Sequence, residues 1–153
     1  MDTGKNPTLI MDNPNTTHPR PLATVGGLIF NSQNKILLVR THKWSDLLGT
    51  PGGKMEYAET MEAAFIREAK EETGLDIFDL QFIMIQDAIN HPQFYRPSHF
   101  LLINFIARTH ETNVILNDEA YDYLWADLEE SLNLDLNQPT RTLVEEVIRL
   151  QKQ

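Results

Sequence analysis

The chain has 153 residues, 41% hydrophobic and 23% charged, which suits one globular domain. Its formal net charge of −9 argues against a grip on long nucleic acids, which draws on basic patches. The absence of cysteine excludes disulfides and thiolate sites, and no apolar run reaches membrane-spanning length or forms a signal peptide, so the cytoplasm is the expected compartment.

Residues 1–20 are polar and rich in Asn, Thr and Pro, and read as a flexible extension, with the folded domain over residues 21–153. Residues 22–30 form an apolar run that suits a strand, in which Gly26-Gly27 signals a bulge or a close backbone approach. After the turn residues 31–34, a second strand is expected over 36–39, followed by a loop over 41–49. Pro51-Gly52-Gly53 reads as a tight turn, because glycine accepts φ > 0 and lets the backbone come near a ligand.

A helix is expected over residues 61–73, with Thr60 as N-cap, Glu62 in the first turn and Gly74 at C′. Met61, Phe65 and Ala69 recur every four residues and are expected to form its buried stripe, with Glu68 and Glu72 on its border. Strands are expected over 80–89, 99–107 and 121–126, with a proline-bounded loop between the first two. A last helix is expected over 137–152, with Pro139 in its first turn and Leu143, Val147 and Leu150 on its apolar side. Strands mixed with two helices imply an α/β layered domain.

The most telling feature lies on the first helix. At 3.6 residues per turn, Glu68, Glu71 and Glu72 fall within roughly 100° of one another and project as a cluster. Like charges at i,i+4 repel, and a helix C-terminus repels anions, so local stability would not place three acids there. A bound hard cation such as Mg²⁺ would resolve the conflict. In an arbitrary chain a glutamate-rich helix is most often a solvated face. Here the glutamates belong to a longer pattern: Gly53, Glu59, Arg67-Glu68, Ala69, Glu71-Glu72, Gly74 and Leu75.

That run resembles the Nudix box, the signature of the Nudix hydrolase family, at every fixed position. The resemblance implies a Nudix fold: a mixed β-sheet sandwiched between helices, with the box as a loop-helix-loop motif. It implies a Mg²⁺-dependent hydrolase, with Mn²⁺ able to substitute, that cleaves the diphosphate linkage of nucleoside diphosphate derivatives. Glu68 and Glu72 map to the principal metal ligands, Glu71 to a further ligand or the general base, and the Gly52 carbonyl to a backbone ligand. Arg67 and Glu59 map to the ion pair that orients the motif. Outside the box, Glu119 is a candidate extra ligand or base, with Asp118 beside it as a competitor. The expected partner is a small nucleotide diphosphate, with no long nucleic acid and no membrane. A homodimer is compatible, since relatives are often dimers.

Other residues carry two readings each. Arg40, His42 and Lys43 follow a strand end and could reach phosphates, or be solvated loop charges. Phe94, Tyr95 and Arg96 could stack a base and bind phosphate, or form a packed loop. Trp44 and Trp125 read as core or rim. The five histidines have no metal spacing. Sequence markers of the ADP-ribose, dinucleotide, NADH and coenzyme A subfamilies are absent or displaced, so base and leaving group stay open. Two alternatives to the hydrolase are a binding module without turnover, which would be expected to lose box glutamates, and an RNA-directed enzyme, which the acidic balance opposes.

Overall fold

In the computed structural model, which describes residues 19–153, the apolar run at the start of the domain is strand β1 (Leu22–Phe30), and the next is β2 (Lys35–Arg40). β1 is buried from Val25 to Phe30 and β2 from Ile36 to Val39, as continuous apolar strands are when a sheet is covered on both faces. The order continues with β3 (Leu48–Gly49), β4 (Gly52–Lys54), α1 (Met61–Thr73), β5 (Phe78–Ile89), β6 (His99–Arg108), β7 (Asp122–Asp127) and α2 (Gln138–Gln151). Residues 1–18 of the expected extension lie outside the described residues.

The seven strands among the described residues form one mixed sheet in the order β3-β2-β1-β6-β5, with β4 paired to β1 and β7 to β2. β1 and β6 are parallel in unbroken register from Leu22↔Phe100 to Phe30↔Arg108, so Gly26-Gly27 marks no bulge there. A Cβ on Gly27 would fall 1.9 Å from the Phe105 carbonyl oxygen, so the glycine serves the close approach.

Alternation along the strands separates two cores. Val25, Ile29, Leu37 and Val39 pack with Phe65 and Ala69 of α1, whereas Leu28, Phe30, Ile36 and Leu38 pack with Leu143, Val144 and Val147 of α2. The sheet is thus layered between two helices, the arrangement expected from the sequence. No described helix is long and apolar enough to cross a membrane.

Two local expectations need correction. Gly52 and Gly53 form no turn: they are extended in β4, antiparallel to β1, and Gly74 is the glycine with positive φ among the described residues. The buried residues of α1 are Ala64, Phe65, Ala69, Glu72 and Thr73, while Met61 is 39% exposed. Small Ala64 and Ala69 allow close packing around Phe65, which stacks on Phe105 at 5.8 Å.

Candidate active site

Both ends of α1 are fixed by local chemistry. The Thr60 hydroxyl oxygen accepts from the Ala63 amide at 3.1 Å, and Gly74 takes φ 76° while its amide donates to the Lys70 carbonyl. The last two turns therefore hold Glu68, Glu71 and Glu72 against β4, which runs beside β1.

Arg67 organises this acidic surface. Its Nε and Nη2 donate to the two oxygens of Glu59 at 2.6 and 2.9 Å. Nη1 donates to Glu68 at 2.9 Å and Glu71 at 3.1 Å, and Nη2 also reaches the Lys54 carbonyl at 3.0 Å. All five guanidinium donors are thereby engaged, which a lysine could not reproduce. Hydrogen bonds from Arg67 and from the Glu56 amide push the Glu59 carboxyl down to about 2, so it is a permanent anion tying the 55–59 loop to the helix.

Glu72 is of a different kind. It is 4% exposed, and one carboxylate oxygen accepts from the Gly52 amide at 3.0 Å. Burial pushes its carboxyl up to about 8, against the Gly52 hydrogen bond and with repulsion from Glu68 and Glu119 adding to it. Burial also raises Glu68, opposed by Arg67. The β4 glycines make room for this crowding: a Cβ on Gly53 would fall 2.5 Å from the Glu68 carboxylate, and one on Gly52 would fall 2.1 Å from the Val25 carbonyl oxygen.

No three acidic, His or Cys side chains among the described residues are drawn together closely enough to hold an ion as they stand, since Arg67 draws Glu59, Glu68 and Glu71 to itself. The donor set nevertheless suits a hard divalent cation. A buried carboxyl raised to about 8, with two further carboxylates close by, is the electrostatic conflict that such a cation relieves.

These residues line a cavity of about 400 Å³. Its α1 and β4 side is acidic, with Glu68, Glu71 and Glu72, and Glu119 faces the same space. Lys43 Nζ lies 2.9 Å from Glu119 Oε2. Of the three basic residues weighed for phosphate, Lys43 lines the cavity; Arg40 is engaged with Asp135 at 2.7 Å, and His42 stacks on Tyr121 at 4.4 Å. Phe94 and Trp44 also line it, whereas Arg96 lies over the Tyr95 ring outside the lining and Trp125 donates to the Thr112 carbonyl. The α2 and β6 side adds Phe100, Leu102, Leu143 and two amides, Asn104 and Asn137. Sequence reasoning missed both amides. The available signal was a lone polar residue at 104 inside an otherwise apolar strand.

A family model for the NUDIX domain matches residues 20–147. The chain is similar to YjhB of Bacillus subtilis (strain 168), provisionally named an ADP-ribose pyrophosphatase, with 36% identity over 90 residues, 59% of this chain and 42% of that protein. It is 29% identical over 113 residues to the 8-oxo-dGDP phosphatase NUDT18 of Danio rerio, covering 72% of this chain and 33% of the relative. The matched part thus spans less than half the length of either curated relative. Among solved structures, the NUDIX domain of Shewanella oneidensis NrtR, crystallised with ADP ribose, superposes with a TM-score of 0.74 at 20% identity, covering 94% of this chain and 96% of that one. At that identity the likeness concerns the fold.

Proposed function

This chain belongs to the Nudix family, and on that footing we propose that residues 21–153 form a hydrolase domain that cleaves the diphosphate linkage of nucleoside diphosphate derivatives, with Mg²⁺ or Mn²⁺ as cofactor. The observation that carries this reading is Glu72: a buried carboxyl, raised to about 8 and held by the Gly52 amide, at the wall of a nucleotide-sized cavity beside Glu68. The names of the two curated relatives support the substrate class, since 8-oxo-dGDP is a nucleoside diphosphate and ADP-ribose is a nucleoside diphosphate joined to a second ribose.

Glu68 and Glu72, with Glu71 and the Gly52 carbonyl, would hold the cation. When bound, it supplies Lewis-acid polarisation of the diphosphate. The chain's own groups do the rest. Water attacks one phosphorus, the bridging P–O bond breaks, and the products are a nucleoside monophosphate and the phosphorylated leaving group. Glu71 or Glu119, the more solvated carboxylates, takes the proton of the attacking water. Arg67 and Glu59 touch no substrate in this scheme; they set the carboxylates in place. Lys43 leaves Glu119 to meet phosphate charge.

The test is a hydrolysis panel of nucleoside triphosphates, ADP-ribose, nucleotide sugars and dinucleoside polyphosphates, with Mg²⁺ or EDTA and chromatography of products. Metal-dependent release of a nucleoside monophosphate is the expected result. Silence across the panel from folded protein that binds nucleotides would replace the hydrolase with a binding module.

A further inference from the structure

The connection between β2 and β3 carries backbone that its side chains do not favour. Ser45 and Asp46 take φ 59° and 60° in succession, the left-handed region, which Asp tolerates and Ser tolerates less. Such strain persists where surrounding contacts over-determine it, and it collects at functional sites. Here the contacts come from the neighbouring loops. The Tyr121 hydroxyl, and after it His42, hold the Asp46 carboxyl below its ordinary range, so it stays an anion. It accepts from the Tyr121 hydroxyl at 2.9 Å and from His42 Nδ1, which must carry the proton because a carboxylate only accepts. The Asp46 amide donates to the Thr41 carbonyl at 3.1 Å, and its carbonyl accepts from Arg40, itself paired with Asp135. The Ser45 hydroxyl donates to the Gln93 carbonyl at 2.6 Å.

These bonds join three loops that reach the cavity. Lys43 and Trp44 stand between His42 and the strained pair, Phe94 follows Gln93, and Glu119 stands two residues before Tyr121. All four line the cavity, and Asp46 does not. The Tyr95 amide donates to the Lys43 carbonyl at 2.8 Å, and Trp44 meets Phe94 at 4.9 Å. Tyr121 stacks on His42 at 4.4 Å, and its amide donates to the Arg40 carbonyl at 3.0 Å. Lys43 Nζ and Glu119 Oε2, 2.9 Å apart, are thus carried on two loops that share the Asp46 carboxylate as an anchor.

We propose that Asp46 is a positioning residue for the hydrolytic site: by clamping His42 and Tyr121 it sets Lys43 and Glu119 in register with each other across the cavity. It acts through those two residues and touches no substrate itself. The inference rests on the hydrolase reading above and adds to it a residue far from the glutamate helix in sequence. The α1 side does not depend on the clamp, because Arg67 holds Glu59, Glu68 and Glu71, and the Gly52 amide holds Glu72. Loss of the clamp is therefore expected to reach turnover through Lys43 and Glu119 and to leave cation affinity alone.

Steady-state kinetics on the best substrate of the panel, paired with tryptophan quenching, tests it. Asp46→Gly removes both side-chain bonds while relieving the left-handed backbone, so Tm is expected to hold while kcat falls roughly 10-fold. Calorimetric Mg²⁺ affinity is expected to stay at the parent value. A merely structural turn would instead lower Tm in step with kcat. Asp46→Asn keeps an acceptor oxygen and tolerates the backbone, and is expected to restore most of kcat. In a chain already carrying Lys43→Met and Glu119→Gln, Asp46→Gly is expected to cost little more, because its route is closed. Trp125→Phe leaves Trp44 as the one tryptophan and gives a readout free of turnover. Acrylamide quenching of Trp44 is expected to rise in Asp46→Gly and not in Asp46→Asn. Should Asp46→Gly fail to fold, Tyr121→Phe removes one of the two bonds, keeps the ring stack and is expected to show part of the kcat loss. An unchanged kcat in folded Asp46→Gly, an equal loss in Asp46→Asn, or losses that multiply with those of Lys43→Met and Glu119→Gln would overturn the proposal. Silence in the hydrolysis panel with the quenching contrast intact would sink the hydrolase and leave the clamp standing, whereas unchanged quenching would sink the clamp whatever the panel shows.

Discussion

The two sides of the cavity are built on opposite principles. On the α1 side, like charges are crowded together and held by one arginine whose five donors are all engaged. On the α2 side, neutral amides are fixed one by one: Gln86 Nε2 donates to the Pro139 carbonyl and to Asn104 Oδ1, and the Thr140 amide donates to Asn137 Oδ1. The first arrangement is poised against itself and invites a cation. The second is held by neutral partners within the protein. The contrast separates a charged wall, where a cation and a diphosphate would meet under the proposed function, from a neutral wall that closes the other side of the cavity.

Substitutions can break that contrast, and the largest effect is expected at Glu72. Glu72→Gln keeps the shape and the Gly52 contact but loses the charge, and turnover should fall roughly 10³-fold whatever the base. Near-normal rates at saturating Mg²⁺ would sink the assignment. Arg67→Lys comes next. A lysine ammonium cannot supply the fork to Glu59 together with the bonds to Glu68 and Glu71, and kcat should drop roughly 10²-fold with the far-ultraviolet circular dichroism unchanged.

A smaller effect concerns pH. Glu72 has a folded value of about 8 against an ordinary 4.5, so the folded chain binds a proton there that the unfolded chain has released. Without divalent cation, the contribution is fully present below about 4.5 and is lost as pH rises through about 8. Thermal melts in EDTA should therefore give a Tm that falls across this window. Glu72→Gln should flatten the fall, and Mg²⁺ should restore Tm at the alkaline end. A Tm in EDTA independent of pH from 5 to 8 would contradict the burial argument (roughly the range in which linkage acts). The smallest effect is expected at Ala58, which is exposed and holds φ 65° in the loop before α1. Ala58→Gly should stabilise the fold by about 0.5–1 kcal/mol, and an unchanged or lower Tm would show that the loop relaxes without it.

The same division explains what could be read from the sequence. The acidic side was legible because its residues lie within one turn-and-a-half of a single helix plus the loop before it, so spacing alone brings Glu68, Glu71 and Glu72 together. The capping residues Thr60 and Gly74 were legible for the same local reason. The extended form of Gly52-Gly53 was not, since it follows from pairing with β1, far away in sequence. The amide side draws on β5, β6, the β2–β3 connection and the start of α2, and no spacing rule links Gln86, Asn104 and Asn137. What could have flagged it is local discord: an asparagine in the middle of a strand whose residues 100–107 are otherwise Phe, Leu, Ile and Ala has to find partners once both faces of the sheet are covered.

The measurement that bears most directly on the account is a calorimetric titration of Mg²⁺ into the protein near pH 7, repeated in two buffers of different ionisation enthalpy. With its carboxyl raised to about 8, Glu72 is mostly protonated before the cation arrives and must release that proton to become a ligand. The account predicts nearly one proton released per Mg²⁺ bound, and loss of both binding and release in Glu72→Gln. Binding without proton release, or equal binding by the variant, would contradict it.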